Sequence, residues 1–245
     1  MGPENAYTDR RVLVVGGSSG VGLAAAREFA ARGAETVLAS RSRDRLEAAA
    51  AELAGLPGPV TGLELDIRSD EQVERFAAAA GKFDHVVVSA ARTPTGRVDT
   101  LPLADAYSAM DSKFWGSYRI ARGLGGSISP AGSLTLIAGY LSRRPTRASA
   151  LQSAINAAIE ALVRGLALEY APLRVNAVSP GLLATPHWDG MAAEDRDRMY
   201  QAAADRLPVQ RVGHAEDIAQ AVLFLAGNGY TTGSTLFVDG GGRIA

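Results

Sequence analysis

The sequence predicts an α/β fold in which a doubly wound parallel sheet of about seven strands carries helices on both faces. Short runs rich in β-branched residues alternate with alanine-rich amphipathic stretches along the whole chain. Several of these runs are almost continuously apolar, which is typical of parallel strands covered on both faces. The chain has 245 residues and contains no linker, repeat or low-complexity tract, so we expect a single domain over residues 1–245.

The predicted strands and helices alternate in order along the chain. Strands are predicted at 11–15, 36–40, 60–65, 84–88, 133–137, 173–178 and 235–238. Helices are predicted at 20–32, 43–54, 70–80, 103–122, 149–170 and 215–226, with a further helix at 191–204 in a long insertion before the last strand. Right-handed crossovers place such helices on both faces of the sheet. Because ligands bind beyond the carboxyl ends of the strands in this architecture, a site is expected in the segments that follow the strands.

The composition excludes several classes of protein. The net charge is −1, from 25 basic and 26 acidic residues, and a nucleic-acid-binding protein usually carries a clear positive excess. The absence of cysteine excludes disulfides, thiolate nucleophiles and cysteine-bound metals. No apolar run approaches the roughly 18 residues of a membrane helix, and no pair of histidines or carboxylates has the spacing of metal ligands. We therefore expect a cytoplasmic protein that binds a small-molecule substrate, without a metal, nucleic acid or membrane partner.

A glycine-rich turn follows the first predicted strand. The sequence there is GGSSGVG, with Gly16, Gly20 and Gly22 at its fixed positions. Glycine permits a tight turn and a close approach to a pyrophosphate, while the helix that begins here directs free N–H groups towards that charge. The pattern predicts a Rossmann-type dinucleotide site formed by Gly16, Ser18, Ser19, Gly20, Val21 and Gly22. The alternative is a tight strand–helix turn that binds nothing.

The end of the second strand indicates which dinucleotide is bound. A cofactor with a free ribose 2′-hydroxyl usually meets an Asp or Glu there. This chain instead has Arg41, followed by Ser42 and Arg43. A guanidinium offers positive charge and a fork of donors that suit a 2′-phosphate. We therefore predict that Arg41 and Ser42 hold a 2′-phosphate, the alternative being a solvated run of arginines.

Two further turns are candidates for contact with the same ligand. Asp66 and Ile67 follow the third strand, and the Asp66 carboxylate suits the edge of an adenine. The alternative role for Asp66 is to cap the next helix, a role that Ser69 can fill equally well. After the fourth strand the side chains are small enough for a cofactor to pass over them, and they are Ser89, Ala90 and Ala91.

Together these motifs resemble the short-chain dehydrogenase/reductase superfamily, in its single-domain branch, over about residues 10–242. GGSSGVG matches the glycine motif of that family, Asp66 matches its adenine-contacting Asp, and VVVSAA stands where NNAG is usual. RVNAVSPGLLAT and VDGG match its later segments. The resemblance implies NADP(H) as cofactor and a homodimer or homotetramer. It also implies nicotinamide-side contacts from Pro180, Gly181, Leu183 and Thr185.

The same resemblance exposes a departure at the catalytic positions. The family typically uses a Tyr-x-x-x-Lys pair on the helix predicted at 149–170, together with a Ser and an Asn. Aligned on ALVRGLALE, this chain has Gln152 at the Tyr position and Asn156 at the Lys position. The Ser position falls at Gly139 or Ala138, and the Asn position falls at Lys113. All four usual catalytic residues are therefore replaced.

Gln152 and Asn156 keep the i, i+4 spacing and share one helix face. Both are neutral amides, which form hydrogen bonds but exchange no proton near neutral pH. Asn156 can still hold ribose hydroxyls, so we count it among both the catalytic and the cofactor-binding candidates.

Lys113 and Tyr140 are the candidates for a displaced acid or base. A partly desolvated lysine can donate a proton or stabilise an oxyanion. The alternative for Lys113 is a helix-surface lysine paired with Asp111 or with a partner subunit. Tyr140 follows the fifth strand and carries a phenol, and its alternative is packing under the substrate loop.

Several other residues lie near the predicted pocket. His187 and Trp188 begin a segment, about 186–212, that forms a substrate lid in relatives. His187 is either an acid/base group or a polar lid residue, whereas His85 and His214 are expected to be structural. A basic loop beside the pocket either favours an acidic substrate or is only solvated surface, and it contains Arg143, Arg144 and Arg147.

Three functions stay open at this point. The first is an NADP(H)-dependent oxidoreductase that acts on a carbonyl or alcohol with a non-standard acid/base. The second is a non-redox enzyme, an isomerase, cyclase or lyase, that reuses the pocket. The third is a catalytically silent NADP(H)-binding protein.

Overall fold

The computed structural model describes residues 6–245 and contains one parallel seven-stranded sheet. The strand order is β3-β2-β1-β4-β5-β6-β9, which confirms the predicted doubly wound class. Every neighbouring pair in this sheet is parallel, with Val15 opposite both Ala39 of β2 and Val88 of β4. The strands of this sheet are β1 Arg11–Val15, β2 Glu35–Ser40, β3 Val60–Glu64, β4 Phe83–Val88, β5 Ile128–Ile137, β6 Arg174–Pro180 and β9 Thr235–Val238. Two short strands, β7 and β8, lie outside it.

The helices pack on the two faces of the sheet and enclose two hydrophobic cores. Phe29 and Leu38 lie in the core on one face, and Leu134 and Ile159 lie in the core on the other, all of them fully buried. The helices are α1 Gly20–Ala31, α2 Arg43–Glu52, α3 Asp70–Ala79, α4 Leu103–Met110, α5 Gly116–Leu124, α6 Ala150–Glu169, α7 Ala193–Ala204 and α8 Ala215–Gly227. Within residues 6–245, no helix combines the length and the apolar character needed to cross a membrane.

The helix predicted at 103–122 differs from the prediction in its centre. A π-helical turn, Asp111–Trp115, separates α4 from α5. The turn is held from both sides, because the Ser117 hydroxyl donates to the Lys113 carbonyl at 2.7 Å and Ser112 Oγ accepts from the Arg92 amide at 2.9 Å. π-turns inside helices are frequent at functional sites because the extra residue changes the direction of the side chains. Here Lys113 is the central residue of the turn.

The insertion before the last strand carries a structure that the sequence pattern did not predict. Two short strands, β7 Leu183–Ala184 and β8 Gly213–His214, pair in parallel. They bracket the segment 185–212, which contains α7, so both ends of this segment are anchored near the carboxyl end of β6. The predicted helix at 191–204 therefore exists, beginning at Ala193.

Candidate active site

Two adjoining cavities lie at the carboxyl ends of the strands. The first encloses about 790 Å³ and is bounded by the turns after β1, β2, β3 and β4. The second encloses about 860 Å³ and lies between the segment after β5, α6 and the insertion. Both are bounded by Thr93, Pro180, Leu183, Thr185 and His187, so they form one continuous cleft.

The glycine-rich turn forms the floor of the first cavity. Gly16 has a φ of +86°, and a Cβ there would lie 2.5 Å from the Ala90 amide nitrogen, so only glycine fits. Gly20 has a φ of +52°, and a Cβ there would meet only Thr185 Cβ, at 4.0 Å. The space before Gly20 is therefore open towards Thr185. Gly22 does not line the cavity, because it packs α1 onto the turn, where a Cβ would lie 2.1 Å from the Gly16 carbonyl oxygen.

Two arginines stand at the β2 side of the first cavity. Arg41 and Arg45 both line it, and no carboxylate of residues 6–245 forms an ion pair with either. Ser42, predicted beside Arg41 as a phosphate ligand, instead caps α2 by accepting a hydrogen bond from the Arg45 amide at 3.4 Å, and it does not line the cavity. Arg43 points elsewhere and pairs with Glu47 at 3.7 Å. On the β2 side of the cavity the basic group is thus Arg41 with Arg45, and the sequence pattern did not single out Arg45.

Asp66 follows β3, next to β2, and its carboxylate is already hydrogen-bonded within the protein. Arg68 donates to both carboxylate oxygens of Asp66, with its Nη2 at 2.7 Å from Oδ2. The hydrogen bond from this guanidinium lowers the pKa of Asp66. Ser69 caps α3 by accepting from the Gln72 amide at 3.2 Å, so the capping role considered for Asp66 belongs to Ser69.

Most of the other predicted cofactor residues line the same cleft. The first cavity is bounded by Ser18, Ser19, Val21, Ile67, Ser89, Ala90 and Ala91. Gly181 and Asn156 line the second cavity instead. Ser18 Oγ donates to Ser40 Oγ at 3.0 Å, which ties the glycine-rich turn to the end of β2.

The ammonium group of Lys113 reaches the second cavity from the π-turn. Its Nζ donates to the Ala138 carbonyl oxygen and to Asn156 Oδ1, each at 2.7 Å. Burial of the ammonium lowers the pKa of Lys113 to about 8. Asp111, considered as a surface partner for this lysine, pairs with Arg119 at 2.8 Å instead. Lys113 is therefore a cavity residue whose acceptors are neutral.

Gln152 lines the second cavity and is largely buried. Its Nε2 donates to the Pro94 carbonyl oxygen, in the loop after β4. Its Oε1 is buried and has no hydrogen-bond partner among residues 6–245. A side chain placed in this way holds the loop and offers an acceptor, but it supplies no proton.

Gly139 and Tyr140 follow β5 and both line the second cavity. A Cβ at Gly139 would lie 2.7 Å from Asn156 Nδ2, so a serine there would require the Asn156 side chain to move. Tyr140 lines the second cavity, and its ring packs beside Gly242, whose added Cβ would meet Tyr140 Cε2 at 3.3 Å. In the described part of the chain the Tyr140 hydroxyl has no hydrogen-bond partner. The Lys113 ammonium, by contrast, is held in place by two hydrogen bonds.

The histidines separate into cavity and structural positions. His187 lines both cavities and contacts Trp188 edge to face, with ring centroids 4.8 Å apart. His85 is buried in β4, where its Nδ1 lies 2.9 Å from Ser133 Oγ. Desolvation lowers the pKa of His85 to about 4. His214 is the N-cap residue of α8, and over residues 6–245 no cluster of His, Asp or Glu has the arrangement of a metal site.

Comparison with known proteins gives consistent results for nearly the whole chain. Residues 15–242 match the model of a protein family described as enoyl-(acyl carrier protein) reductase. The chain is 33% identical to short-chain dehydrogenase/reductase ucsE of Acremonium sp, over 96% of this chain and 95% of that protein. It is 34% identical to glucose 1-dehydrogenase of Gluconobacter oxydans (strain 621H), over 96% of this chain and 92% of that protein.

Solved structures agree with the sequence matches. A small-chain dehydrogenase in complex with NADPH superposes with a TM-score of 0.82 at 37% identity, covering 98% of this chain and 100% of that one. The L-sorbose reductase of Gluconobacter frateurii, complexed with NADPH and L-sorbose, superposes with a TM-score of 0.88 at 26% identity, covering 99% of both chains.

Proposed function

We propose that this chain, which belongs to the short-chain dehydrogenase/reductase superfamily, is an NADP(H)-dependent oxidoreductase that uses Lys113 in place of the usual tyrosine. The substrate is a carbonyl compound or the corresponding alcohol. The observation that carries the proposal is the position of the Lys113 ammonium, which lies at the second cavity with one N–H left over after its two hydrogen bonds.

The first cavity fits NADP(H). The open space before Gly20 leaves room for phosphates at the start of α1, and Arg41 with Arg45 supplies unpaired positive charge for the 2′-phosphate. The NADPH complexes of two structural relatives support this choice. When bound, the nicotinamide supplies or accepts a hydride. On the nicotinamide side, Pro180, Leu183 and Thr185 bound the junction between the two cavities.

Lys113 can supply the proton or the positive charge that a carbonyl reduction needs. Its acceptors, the Ala138 carbonyl and Asn156 Oδ1, fix the ammonium without neutralising it. With a pKa of about 8, the group is mostly protonated at pH 7 and still gives up its proton readily. A substrate oxygen that accepts the third N–H is stabilised as negative charge develops on it.

Gln152 and Asn156 act as positioning groups in this scheme. Asn156 orients the Lys113 ammonium through its Oδ1 and leaves its Nδ2 for a hydroxyl or carbonyl oxygen. Gln152 binds the Pro94 carbonyl and so holds the loop after β4 against α6. Tyr140 shapes the wall of the cavity beside Gly139.

The proposal is tested by Lys113→Met, which keeps the length of the side chain and removes the ammonium. We expect NADPH-dependent reduction of a panel of aryl ketones to fall by roughly 10²-fold or more, the scale for losing one such group. NADPH affinity, measured by fluorescence titration, should stay within a few-fold of wild type. The matched control is Lys82→Met, because Lys82 is the other lysine of the chain and is exposed.

Two results would overturn the proposal. In the first, the wild-type protein binds NADPH but reduces no ketone in the panel and oxidises none of the corresponding alcohols. This result points to a non-redox or silent NADP(H)-binding protein. Equal turnover by wild type and Lys113→Met assigns the chemistry to another group.

A further inference from the structure

The second cavity combines an apolar wall with an excess of positive charge. The apolar wall is formed by Tyr140, Leu141, Ile155, Trp188, Met199 and Leu207. Lys113, Arg144 and Arg206 are the cations that line it. Asp239 is the only acidic side chain among the described residues that line it. Apolar pockets with a few fixed polar groups usually orient one class of ligand, so the unbalanced charge is informative.

Asp239 does not balance this charge, because both its oxygens are used locally. Oδ2 accepts from the amide of Arg243 at 3.0 Å and from its Nε at 3.1 Å. Oδ1 accepts from the Gly241 amide at 3.1 Å. The Asp239 charge is thus matched by Arg243 and by backbone donors.

Arg144 is left without a counter-ion by its neighbours. Glu160 is the buried carboxylate beside this loop, and its Oε1 accepts from the Ser142 hydroxyl. Its Oε2 accepts from Arg143 at 3.2 Å. Both oxygens are therefore taken by the two residues before Arg144, while Arg144 lines the cavity and, within the described part of the chain, joins no ion pair.

Arg206, which also lines the cavity, is likewise without a counter-ion among the described residues. It follows the end of α7, and the neighbouring Asp205 accepts a hydrogen bond from Gln201 Nε2 at 2.7 Å. No carboxylate of the described residues pairs with Arg206. Ala245 also lines the cavity, and its carboxylate forms no ion pair with Arg144 or with Arg206. Of the 23 arginines in residues 6–245, fourteen form ion pairs, and Arg144 and Arg206 are among the nine that do not.

We propose that the second cavity selects a substrate with an apolar body and a carboxylate, which is held by Arg144 and Arg206 while the reacting carbonyl lies towards Lys113. This inference rests on the proposed function and names its substrate class. A guanidinium binds a carboxylate through paired hydrogen bonds, and a cleft lined by one sign of charge concentrates the opposite ion. Arg147 belongs to the same loop but does not line the cavity, which makes it an internal comparison.

The test uses 5-oxo-5-phenylpentanoate and its methyl ester as substrates with NADPH. Wild type should favour the acid over the ester by roughly 10-fold or more in kcat/KM, since a hydrogen-bonded charge pair is lost with the ester. Arg144→Gln and Arg206→Gln should each raise KM for the acid roughly 10- to 100-fold and leave the ester nearly unchanged. Arg147→Gln is the matched control and should behave as wild type with both compounds.

Calorimetric binding of the same two compounds to the NADP⁺-loaded protein separates this inference from the proposed function. If the acid binds through Arg144 and Arg206 but is not reduced, the carboxylate site stands and the redox assignment fails. If acid and ester are reduced equally by wild type and by both arginine variants, the carboxylate site is refuted and the redox assignment stands. Failure of both compounds to bind also refutes the site.

Discussion

Lys113 Nζ lies 2.7 Å from Asn156 Oδ1, so a residue of the π-turn and a residue of α6 meet in one hydrogen bond. In the pattern of the superfamily the lysine stands on the helix corresponding to α6 and the amide stands where Lys113 is. On the alignment predicted from the sequence, we therefore propose that the two residue types have exchanged positions while one ammonium and one amide are kept. The positive charge that usually comes from one wall of the pocket here comes from the other.

This exchange predicts how the usual catalytic set can be rebuilt. Gln152→Tyr with Asn156→Lys alone should not produce an efficient reductase, because Lys113 and the new lysine would face each other across the present hydrogen bond. Adding Lys113→Asn removes this repulsion. We expect the triple variant to reduce aryl ketones at least roughly 10-fold faster than the double variant, as measured by kcat at saturating NADPH. A double variant that equals or exceeds the triple variant would contradict the exchange.

Arg41 should decide between the two nicotinamide cofactors. Arg41→Ala removes an unpaired guanidinium from the first cavity, so the Kd for NADPH should rise roughly 10- to 100-fold while the Kd for NADH changes little. Fluorescence titration of both cofactors measures this. The matched control is Arg43→Ala, since Arg43 is two residues away, pairs with Glu47 and does not line the cavity. Equal NADPH affinity in wild type and Arg41→Ala would remove the basis for the preference.

Lys113 should leave a signature in the pH dependence of stability. Its pKa is about 8 when folded and 10.5 as the reference value, so the unfolded chain holds more protons between these pH values. The free energy of unfolding of wild type should therefore rise with pH across this window, by about 3 kcal/mol relative to Lys113→Met. Below pH 8 the full destabilisation by the buried charge is present. Urea unfolding of both proteins at pH 7, 8, 9 and 10 measures the difference between their free energies of unfolding. If this difference does not change with pH, the ammonium is well solvated and the prediction is wrong.

His85 should make the fold sensitive to acid. Its pKa falls from 6.5 to about 4 because the ring is desolvated in β4, so the unfolded chain holds more protons between pH 6.5 and pH 4. Stability should fall as the pH drops through this window, by about 3 kcal/mol. His85→Gln should be less stable than wild type at pH 7, but its stability should not show this fall between pH 6.5 and pH 4. His214→Gln, at an exposed position, serves as the control and should keep the wild-type dependence.

Much of the fold followed from the sequence because it depends on short-range patterns. The apolar runs fixed the seven strands, and the bounds of β1 and β9 agree with the prediction to the residue. The π-turn escaped prediction because it depends on Ser112 and Ser117, whose side chains bind backbone groups, Arg92 among them. The β7–β8 pair escaped it as well, since two residues are too few to give a period.

The sequence by itself determined that a guanidinium stands after β2, and it predicted that the usual catalytic residues are replaced, because both statements concern residue identity at given positions. Only the tertiary structure decided which groups these and the neighbouring side chains contact. It joined Lys113 to Asn156, used Ser42 as a helix cap, tied Asp66 to Arg68 and left Arg144 unpaired beside a saturated Glu160. Each of these outcomes depends on which polar groups compete for the same partner once burial has removed water, and that competition is set by distances between residues far apart in the chain.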